Sequence, residues 1–579
     1  MSDTNAVREP VFGVVTDRRV KLALTFVVAF CSIAYELVYS ELLTVFYGGT
    51  VVRYSVTIGL YMFSLGVGAV LSSQLGDAES NFLRTEVYLA VAGPLGAGFV
   101  IALNSFPGVV FPAKATVTLA LSHLPILVVG LLSGFEIPLL ESLVDERDGS
   151  GLALVGGLPR RAVVGTLSTL FTTEPADNDP LSEVLGVDYL GSLAGTVVYA
   201  LVLYPDHGLV VSVLALGLLN ALAAVTFAGW TLSRFTIPRA RPTGGRWRAV
   251  LLVGLLVSGS YAGLVANGET VDRVVTGSYV EDDIRADYAP GQVEVDLRSY
   301  QTTAYQRVTV YDRTVADRAG TERCLRLDHA IQLCDSWVES YHAGLVDVPL
   351  SAYGTENYAD LDVLLIGGGD YIAVDNLREY GVAVDQVDID GEFLQMGRER
   401  EYLRQFNDGA YRYDRLNTTV GDAFRFLRGS DREYDLILLD VPGARSDDSL
   451  SLYSREFYGL LSDHLTDRGV VVSWVYSKYS YPVHHRAYVN TVRAAGFDRF
   501  APYYVYEDPD ADGDRERAEK FYVLSDGPTP TFELSRARSP YVDRHSDRIG
   551  PVRWRPLVRY RGVDPNSVFD PNYDIVIGS

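Results

Sequence analysis

A glycine-rich turn with nearby acids is the first place where the sequence indicates chemistry. Gly367-Gly368-Gly369-Asp370 follows an apolar run, LDVLLI at 361–366, which is typical of a buried strand. Asp388 ends the next such run, 19 residues after Gly369. Glycines let a backbone approach a ligand closely, and an acid at this spacing can accept hydrogen bonds from both ribose hydroxyls. Because the glycines do not spell GxGxxG, the pattern predicts a nucleoside site rather than a dinucleotide site.

Alternating strands and helices must position these residues. Further strands are predicted at 382–389, 416–420, 435–439, 470–475 and 503–506, with helices near 392–405, 454–465 and 484–496 between them. Such alternation predicts a parallel α/β sheet of the Rossmann type, with helices on both faces. Ligands bind such sheets at the carboxyl ends of the strands, where Gly421-Asp422-Ala423 also lies.

The first half of the chain has a different pattern. Long apolar runs near 22–46, 54–76, 87–106, 115–143, 184–204, 208–232 and 249–266 approach the length that crosses a bilayer. They predict a multi-pass α-helical domain in the cell membrane, with about seven spans. The positive-inside rule then puts the second half outside, and a missed or non-crossing span would put it inside. Acids within the runs fit either a cation site or helix-to-helix hydrogen bonds.

Composition excludes some classes of function. The 579 residues carry 73 acids and 50 bases, a net charge of -23, which argues against a nucleic-acid partner. Only four of the 50 bases are lysine, and an acidic, lysine-poor surface is typical of adaptation to high salt, as in haloarchaea. Three cysteines, Cys31, Cys324 and Cys334, predict neither a disulfide framework nor a zinc site.

Residues 278–525 resemble the spermidine synthase family, the polyamine aminopropyltransferases. The matching stretches are TAYQRVTVYD (303–312), LDHAIQ (327–332), DSWVESYHAGLVDVPL (335–350), LLIGGGD with VDQVDID, GDA (421–423) and YDLILLDVPG with SLYSREFY (434–458). They occur in the family's order and at its usual separations. The first half resembles the membrane-bound branch of the family, through AYELVYSELL (34–43), SLGVGA (64–69) and DYLGSLAGT (188–196).

The resemblance implies an aminopropyl transfer from decarboxylated S-adenosylmethionine, a co-substrate, to a small-molecule amine. Methylthioadenosine is released, and no tightly bound cofactor or metal is needed. The implied nucleoside-binding residues are Gln306, Gly367, Gly369, Asp388, Asp422 and Ala423. The implied amine-binding residues are His342, Asp370 and Gln332. His342 could instead be a satisfied core histidine, and Asp370 a helix N-cap.

The sequence departs from the family where the catalytic acid should be. The family's DSSDP loop reads Asp440-Val441-Pro442-Gly443 here, so its first Asp is kept as Asp440 and its catalytic second Asp is replaced by Gly443. We expect Asp440 to be the base, with Asp447 or Asp448 as alternatives. Another S-adenosylmethionine-dependent transferase, such as a methyltransferase, and a non-catalytic nucleoside- or polyamine-binding or transport protein remain open alternatives.

Four regions follow from these patterns. We expect a transmembrane helical domain at 1–268, a small β subdomain at 278–350, a Rossmann-like nucleoside-binding domain at 351–530 and a C-terminal extension at 531–579. The bilayer is an expected partner of the first region. The sequence leaves the acceptor amine and a homodimer undecided.

Overall fold

The computed structural model describes residues 17–47, 51–105, 115–144, 180–234, 246–285, 288–289, 291–316, 320–328, 330–354, 358–444, 447–507 and 517–575. Contacts divide the chain into two compact units between Asp282 and Asp283. The predicted membrane domain ends at residue 268, which begins a helix that runs across this division. The four predicted domain boundaries therefore remain predictions.

Helices, most of them long and apolar, form the first unit, and the last of them extends past its end. Their bounds are α1 (Asp17–Tyr47), α2 (Val51–Ser72), α3 (Ala78–Ser105), α4 (Ala115–Ser122), α5 (Leu124–Leu143), α6 (Pro180–Val198), α7 (Tyr204–Arg234), α8 (Arg246–Ala266) and α9 (Gly268–Arg285). A π-helical turn, Tyr199–Leu203, joins α6 to α7. Within the described residues, six helical stretches are long and apolar enough to cross a membrane, by length and composition.

The expected number of spans was seven, and one kink explains the difference. The predicted fifth and sixth spans form one continuous stretch, Leu181–Thr231. The helical backbone is interrupted inside it at Gly208, where φ is 71° and ψ is -179°. Glycine adopts these non-helical angles without steric cost, and they divide the stretch into two helices that meet at a kink. The stretch therefore contains both of the predicted spans, 184–204 and 208–232, and the break lies where the sequence predicted it.

Acids inside this unit take part in hydrogen bonds between helices. The Asn220 amide on α7 donates to Glu86 Oε2 on α3 at 2.9 Å. Glu41 on α1 accepts from the hydroxyls of Tyr54 at 2.8 Å and Tyr204 at 3.0 Å. Glu86 was not singled out from the sequence. These bonds agree with the prediction that acids in the apolar runs make hydrogen bonds between helices. A cation site remains a hypothesis.

A small antiparallel sheet opens the second unit. It contains β1 (Val293–Thr302), β2 (Arg307–Val315), β3 (Glu322–Leu327) and β4 (Ala330–Cys334), in that spatial order. Cys324 and Cys334 face each other across β3 and β4 and form a disulfide, while Cys31 is free and buried. The sequence predicted no disulfide framework, and this single bridge was not foreseen. The antiparallel register of β3 and β4 brings the two residues together.

An eight-stranded sheet forms the body of the second unit. Its strands are β5 (Asp362–Gly367), β6 (Ala383–Asp388), β7 (Leu416–Val420), β8 (Tyr434–Asp440), β9 (Leu465–Trp474), β10 (Arg499–Glu507), β11 (Arg517–Ser525) and β12 (Arg555–Pro556). The spatial order is β12-β10-β11-β9-β8-β5-β6-β7. The pairs among β5 to β9 are parallel, and those that join β9, β10, β11 and β12 are antiparallel.

Helices cover this sheet. They are α10 (Val338–His342), α11 (Val348–Leu350), α12 (Ile372–Arg378), α13 (Gly391–Glu399), α14 (Glu401–Asn407), α15 (Ala423–Arg428), α16 (Asp447–Ser451), α17 (Arg455–Asp463), α18 (Pro482–Ala494) and α19 (Pro540–His545). Val363 and Leu365 of β5 join one core, whereas Leu364 and Ile366 join another. Successive strand residues point to opposite faces, so both faces of the sheet are buried, as the unbroken apolar run predicts.

The strand order reverses between β5 and β8. The chain builds β5, β6 and β7 outward and then returns to place β8 on the other side of β5. Ligands of such sheets bind in the crevice that this reversal leaves at the carboxyl ends of the strands. Gly367 ends β5 directly beside Asp440, which ends β8. The fold therefore brings the glycine turn and the expected base to the same point.

Candidate functional site

The glycine turn after β5 is held against the end of β8. The φ angles are 88° at Gly367 and 67° at Gly368, a region that side chains other than glycine rarely enter. A Cβ at Gly367 would overlap the main-chain oxygen of Asp440. The Gly368 N–H donates to that same oxygen at 3.1 Å. Glycine is needed here both for the backbone angles and for the close approach of the two strand ends.

A buried glutamine supports the turn from β6. The Gln386 side chain donates to the carbonyl oxygens of Gly367 at 3.1 Å and Gly368 at 2.7 Å. These bonds satisfy two carbonyls that the turn removes from the sheet ladder. Sequence reasoning missed Gln386. A polar residue in the middle of an apolar strand was the signal that could have found it.

Asp388 lies at the end of β6 and faces the glycine turn. Its Oδ1 accepts from the Asp390 N–H at 2.8 Å, and its Oδ2 would lie 2.9 Å from a Cβ placed on Gly369. Burial raises the pKa of Asp388 to about 6, against the lowering effect of the Asp390 N–H. The charges of Asp390, Asp440 and Asp370 raise the pKa further. Several carboxylates therefore lie close together in the crevice, an arrangement that favours a cationic ligand.

The other residues predicted to bind the nucleoside lie around the same edge and have partners of their own. The Gln306 amide donates to Asp390 Oδ2 at 2.9 Å. Asp422 is exposed and caps α15, where its Oδ1 accepts from the Arg425 N–H at 2.8 Å. Ala423 begins that helix and is buried. The main chain links the segment that contains Asp422 and Ala423 to β6, because the N–H of Gly421 donates to the main-chain oxygen of Asp388 at 2.9 Å.

Three side chains converge beside the turn. One ligand atom each of His342, Asp370 and Asp440 lies within 4.8 Å of the others. They come from α10, from the turn after β5 and from the end of β8. Gln332, the third residue expected to bind the amine, lies on β4 and donates to Ala330 O at 3.4 Å. No contact recorded among the described residues connects Gln332 with the three converging side chains.

His342 is not a satisfied core histidine. Its Nδ1 bonds to the Val338 carbonyl at 2.8 Å, while Nε2 is buried and has no hydrogen-bond partner among the described residues. Burial lowers the pKa of His342, and the charge of Asp370 opposes that effect. The imidazole is therefore neutral with its proton on Nδ1, which leaves Nε2 as an acceptor that faces the two carboxylates.

The two carboxylates have different local partners. Asp370 Oδ1 accepts from the Ile372 N–H at 2.9 Å, so it stabilises the start of α12 as well as facing the cluster. Asp440 Oδ1 accepts from the Tyr341 hydroxyl at 3.0 Å. Burial raises the pKa of Asp440 to about 7, with a further contribution from the charge of Asp370. The Tyr341 hydrogen bond lowers that pKa in part.

This arrangement offers acceptor atoms to a cation. A neutral imidazole nitrogen and two carboxylates can receive the hydrogens of an ammonium group, and Asp440 can then take a proton near neutral pH. The same donor set could hold a divalent metal ion, so the expectation that no metal is needed stays a prediction. Asp447 and Asp448 lie in α16, and their side chains fall outside the described residues.

Comparison with known proteins shows which proteins this chain is similar to. Residues 338–507 match the family described as Spermine/spermidine synthase domain. The chain is 28% identical over 479 residues to Polyamine aminopropyltransferase 1 of Streptomyces coelicolor. The aligned region covers 82% of this chain and 79% of the relative. It is 26% identical over 580 residues to Polyamine aminopropyltransferase of Mycobacterium tuberculosis, and the aligned region covers 99% of this chain and 98% of the relative. The spermidine synthase structure from Thermotoga maritima is similar with 19% identity and a TM-score of 0.33, over 46% of this chain and 80% of that one.

Proposed function

We infer that this chain is a transferase of the spermidine synthase-like family. The family match and the two relatives confirm the family and the enzyme class that the motifs predicted. We propose that it moves an aminopropyl group from decarboxylated S-adenosylmethionine to an amine and releases methylthioadenosine. The observation that carries the proposal is the convergence of His342, Asp370 and Asp440 beside the nucleoside crevice. Among the described residues no ion pair joins these three acceptor groups to a basic side chain, so they fit the attacking amine.

The reaction needs a free lone pair on the amine. The amine nitrogen attacks the propyl carbon next to the sulfonium, and the carbon–sulfur bond breaks with its electrons left on sulfur. The nitrogen must lose a proton in the process, because an ammonium has no lone pair. A carboxylate whose pKa is about 7 both attracts the cationic amine and accepts that proton.

We assign the base to Asp440, because the family's catalytic acid is replaced by Gly443. Asp440 ends β8, so main-chain pairing with β5 fixes its position, and the Tyr341 hydroxyl orients its carboxylate. Asp370 and His342 would hold the amine. Asp388, with the turn at Gly367 and Gly369, would hold the ribose, and the segment with Gln306, Asp422 and Ala423 would line the nucleoside.

The test is product formation by the purified full-length chain. Incubation with decarboxylated S-adenosylmethionine and a panel of amines should release methylthioadenosine in an amine-dependent way. Parallel reactions with S-adenosylmethionine distinguish a methyltransferase, which would release S-adenosylhomocysteine instead. A further reaction in EDTA should keep full activity, since the sulfonium is already an activated leaving group. Absence of methylthioadenosine with every amine would contradict the proposal.

We propose that the first unit anchors the enzyme in the membrane as a multi-pass domain. The support is six apolar helical stretches of sufficient length within the described part of the chain. A bilayer would cover apolar side chains that face outward, such as Phe63 and Val70 on α2, which are 67% and 73% exposed. The protein should stay with membranes after alkaline carbonate washing and be released only by detergent. Release by carbonate alone would contradict the anchor.

A further inference from the structure

The phenol of Tyr476 fills the space beside Gly443, where the expected catalytic acid is missing. A Cβ on Gly443 would overlap the Tyr476 hydroxyl oxygen and would lie 2.8 Å from its Cζ. Any residue other than glycine at 443 would therefore displace the phenol. The glycine and the tyrosine are a matched pair, which sequence reasoning from either position alone could not show.

Tyr476 is held firmly in this place. It lies two residues beyond the end of β9 and is 9% exposed. Its ring makes edge contacts with the rings of Trp474, Tyr481 and His484, at centroid distances between 4.5 and 5.3 Å. Its carbonyl accepts from the buried Lys520 ammonium at 3.4 Å. Packing on several sides fixes the direction of the hydroxyl, as a substrate-positioning group requires.

The loop that Tyr476 meets is the one that carries Asp440. Strands β8 and β9 pair in parallel, with Leu439 opposite Ser473, so the chain emerges from both strands at the same edge of the sheet. The Tyr453 hydroxyl donates to the Pro442 carbonyl at 3.0 Å and holds the same loop. Three tyrosines thus contact this loop: Tyr341 at the Asp440 carboxylate, Tyr453 at the Pro442 carbonyl and Tyr476 at Gly443.

We propose that the Tyr476 hydroxyl contacts the acceptor amine at this edge and orients it for attack, in place of a carboxylate at position 443. This inference rests on the proposed aminopropyl transfer. The amine N–H donates to the phenol oxygen, the nitrogen lone pair forms the new bond to the propyl carbon, and the carbon–sulfur electrons return to sulfur. The amine proton goes to the Asp440 carboxylate. Because the phenol is neutral, attraction for the cationic acceptor comes from Asp370 and Asp440.

The first experiment removes only the hydroxyl. Tyr476→Phe keeps the ring contacts, and kcat/KM for the amine should fall about three- to tenfold, the usual effect of one hydrogen bond. The KM for decarboxylated S-adenosylmethionine and the affinity for methylthioadenosine should not change. Tyr481→Phe is the matched control, because that residue belongs to the same ring cluster, and it should leave all these values unchanged.

The second experiment exchanges the pair. Gly443→Asp should lower kcat/KM for the amine at least fivefold, because its Cβ overlaps the phenol. In the Tyr476→Ala background the same change should cost less than twofold or restore activity, because the carboxylate then has room. Methylthioadenosine binding by calorimetry verifies folding in each variant.

The outcomes distinguish a failure of the role of Tyr476 from a failure of the proposed aminopropyl transfer. If wild type turns over amines and Tyr476→Phe equals it, this inference is overturned while the proposed function stands. Equal losses from Gly443→Asp in both backgrounds would also overturn it. If wild type releases no methylthioadenosine with any amine, the proposed function is overturned and the role of Tyr476 with it.

Discussion

The two ends of the crevice are built in different ways. At the end proposed to hold the nucleoside, main-chain bonds join the strand ends, since Gly368 donates to the carbonyl of Asp440 and Gly421 donates to that of Asp388, and the Gln386 side chain supports the turn. At the end proposed to hold the amine, side chains set the geometry, through the bond from Tyr341 to Asp440 and the imidazole of His342. Because a Cβ on Gly443 would overlap the Tyr476 hydroxyl, a larger side chain at position 443 requires a change at position 476.

The largest expected effect separates the two ends most clearly. Asp440→Asn keeps the main-chain link to Gly368 but removes the base, so kcat should fall about 10²–10⁴-fold, the usual contribution of a general base. Methylthioadenosine affinity should stay within twofold, because its end of the crevice is unchanged. Steady-state kinetics and calorimetry measure the two quantities. The double variant Asp447→Asn/Asp448→Asn is the control, and a dead double variant beside an active Asp440→Asn would move the base to α16.

Asp388→Ala should produce the complementary result. Loss of hydrogen bonds from the ribose hydroxyls to a charged group should weaken methylthioadenosine binding by about 1.5–3 kcal/mol, or roughly 10- to 150-fold. Saturating donor should restore most of the turnover, because the base and the amine groups are intact. Unchanged affinity by calorimetry would remove Asp388 from the nucleoside site.

A smaller effect should follow from a single added methyl group. In Gly369→Ala the new Cβ would lie 2.7 Å from Phe393 and 2.9 Å from Asp388 Oδ2, so one of them must move. We expect about 1–3 kcal/mol of lost stability, typical of overpacking, together with weaker nucleoside binding. Gly421→Ala is the matched control, since nothing lies within 4 Å of its Cβ. Equal melting temperatures for the two variants would mean that the turn is looser than the structure shows.

The last prediction concerns the pH dependence of the proposed base. The pKa of Asp440 is raised to about 7, so kcat should fall about tenfold for each unit of pH below that value, as the base is protonated. Stability should change in the opposite direction. A raised folded-state pKa favours the folded chain at low pH, and this contribution is lost as pH rises from about 4 through about 7. Asp440→Asn should flatten this part of the stability curve, and an unchanged curve would contradict the raised pKa.

Much of the parallel sheet could be predicted, because its signals are local. β7 was predicted at the bounds it has, and β5, β6 and β8 within a residue or so at each end. β11 was missed, because its residues RAEKFYVLS mix charged and apolar types without clear alternation. Lys520 of that strand is buried only because other elements cover it. Burial by distant parts of the chain cannot be predicted from the sequence of one segment.

The candidate site also contains features that local sequence signals predict and features that depend on tertiary structure. Asp388 and Asp440 could be placed at the same edge of the sheet, because parallel strands present their carboxyl ends at one edge. The hydrogen-bond partners of Gln386 and Tyr341 could not be predicted, since they depend on side-chain direction across elements. The partnership of Gly443 with Tyr476 joins residues 33 positions apart, and only the pairing of β8 with β9 makes them neighbours. The functional roles of these residues remain predictions for the experiments above.

The disulfide in the small sheet makes the opening of that sheet chemically measurable. Cys324 and Cys334 are both fully buried, so a thiolate reagent can attack the bond only after β3 and β4 separate from their neighbours. Under mild conditions the rate of thiol release therefore reports the population of locally opened molecules, as amide hydrogen exchange does for backbone groups. Gln306 lies between β1 and β2, and His342 follows β4 in the chain. Slower thiol release on addition of methylthioadenosine would therefore show that ligand binding increases the order of this sheet.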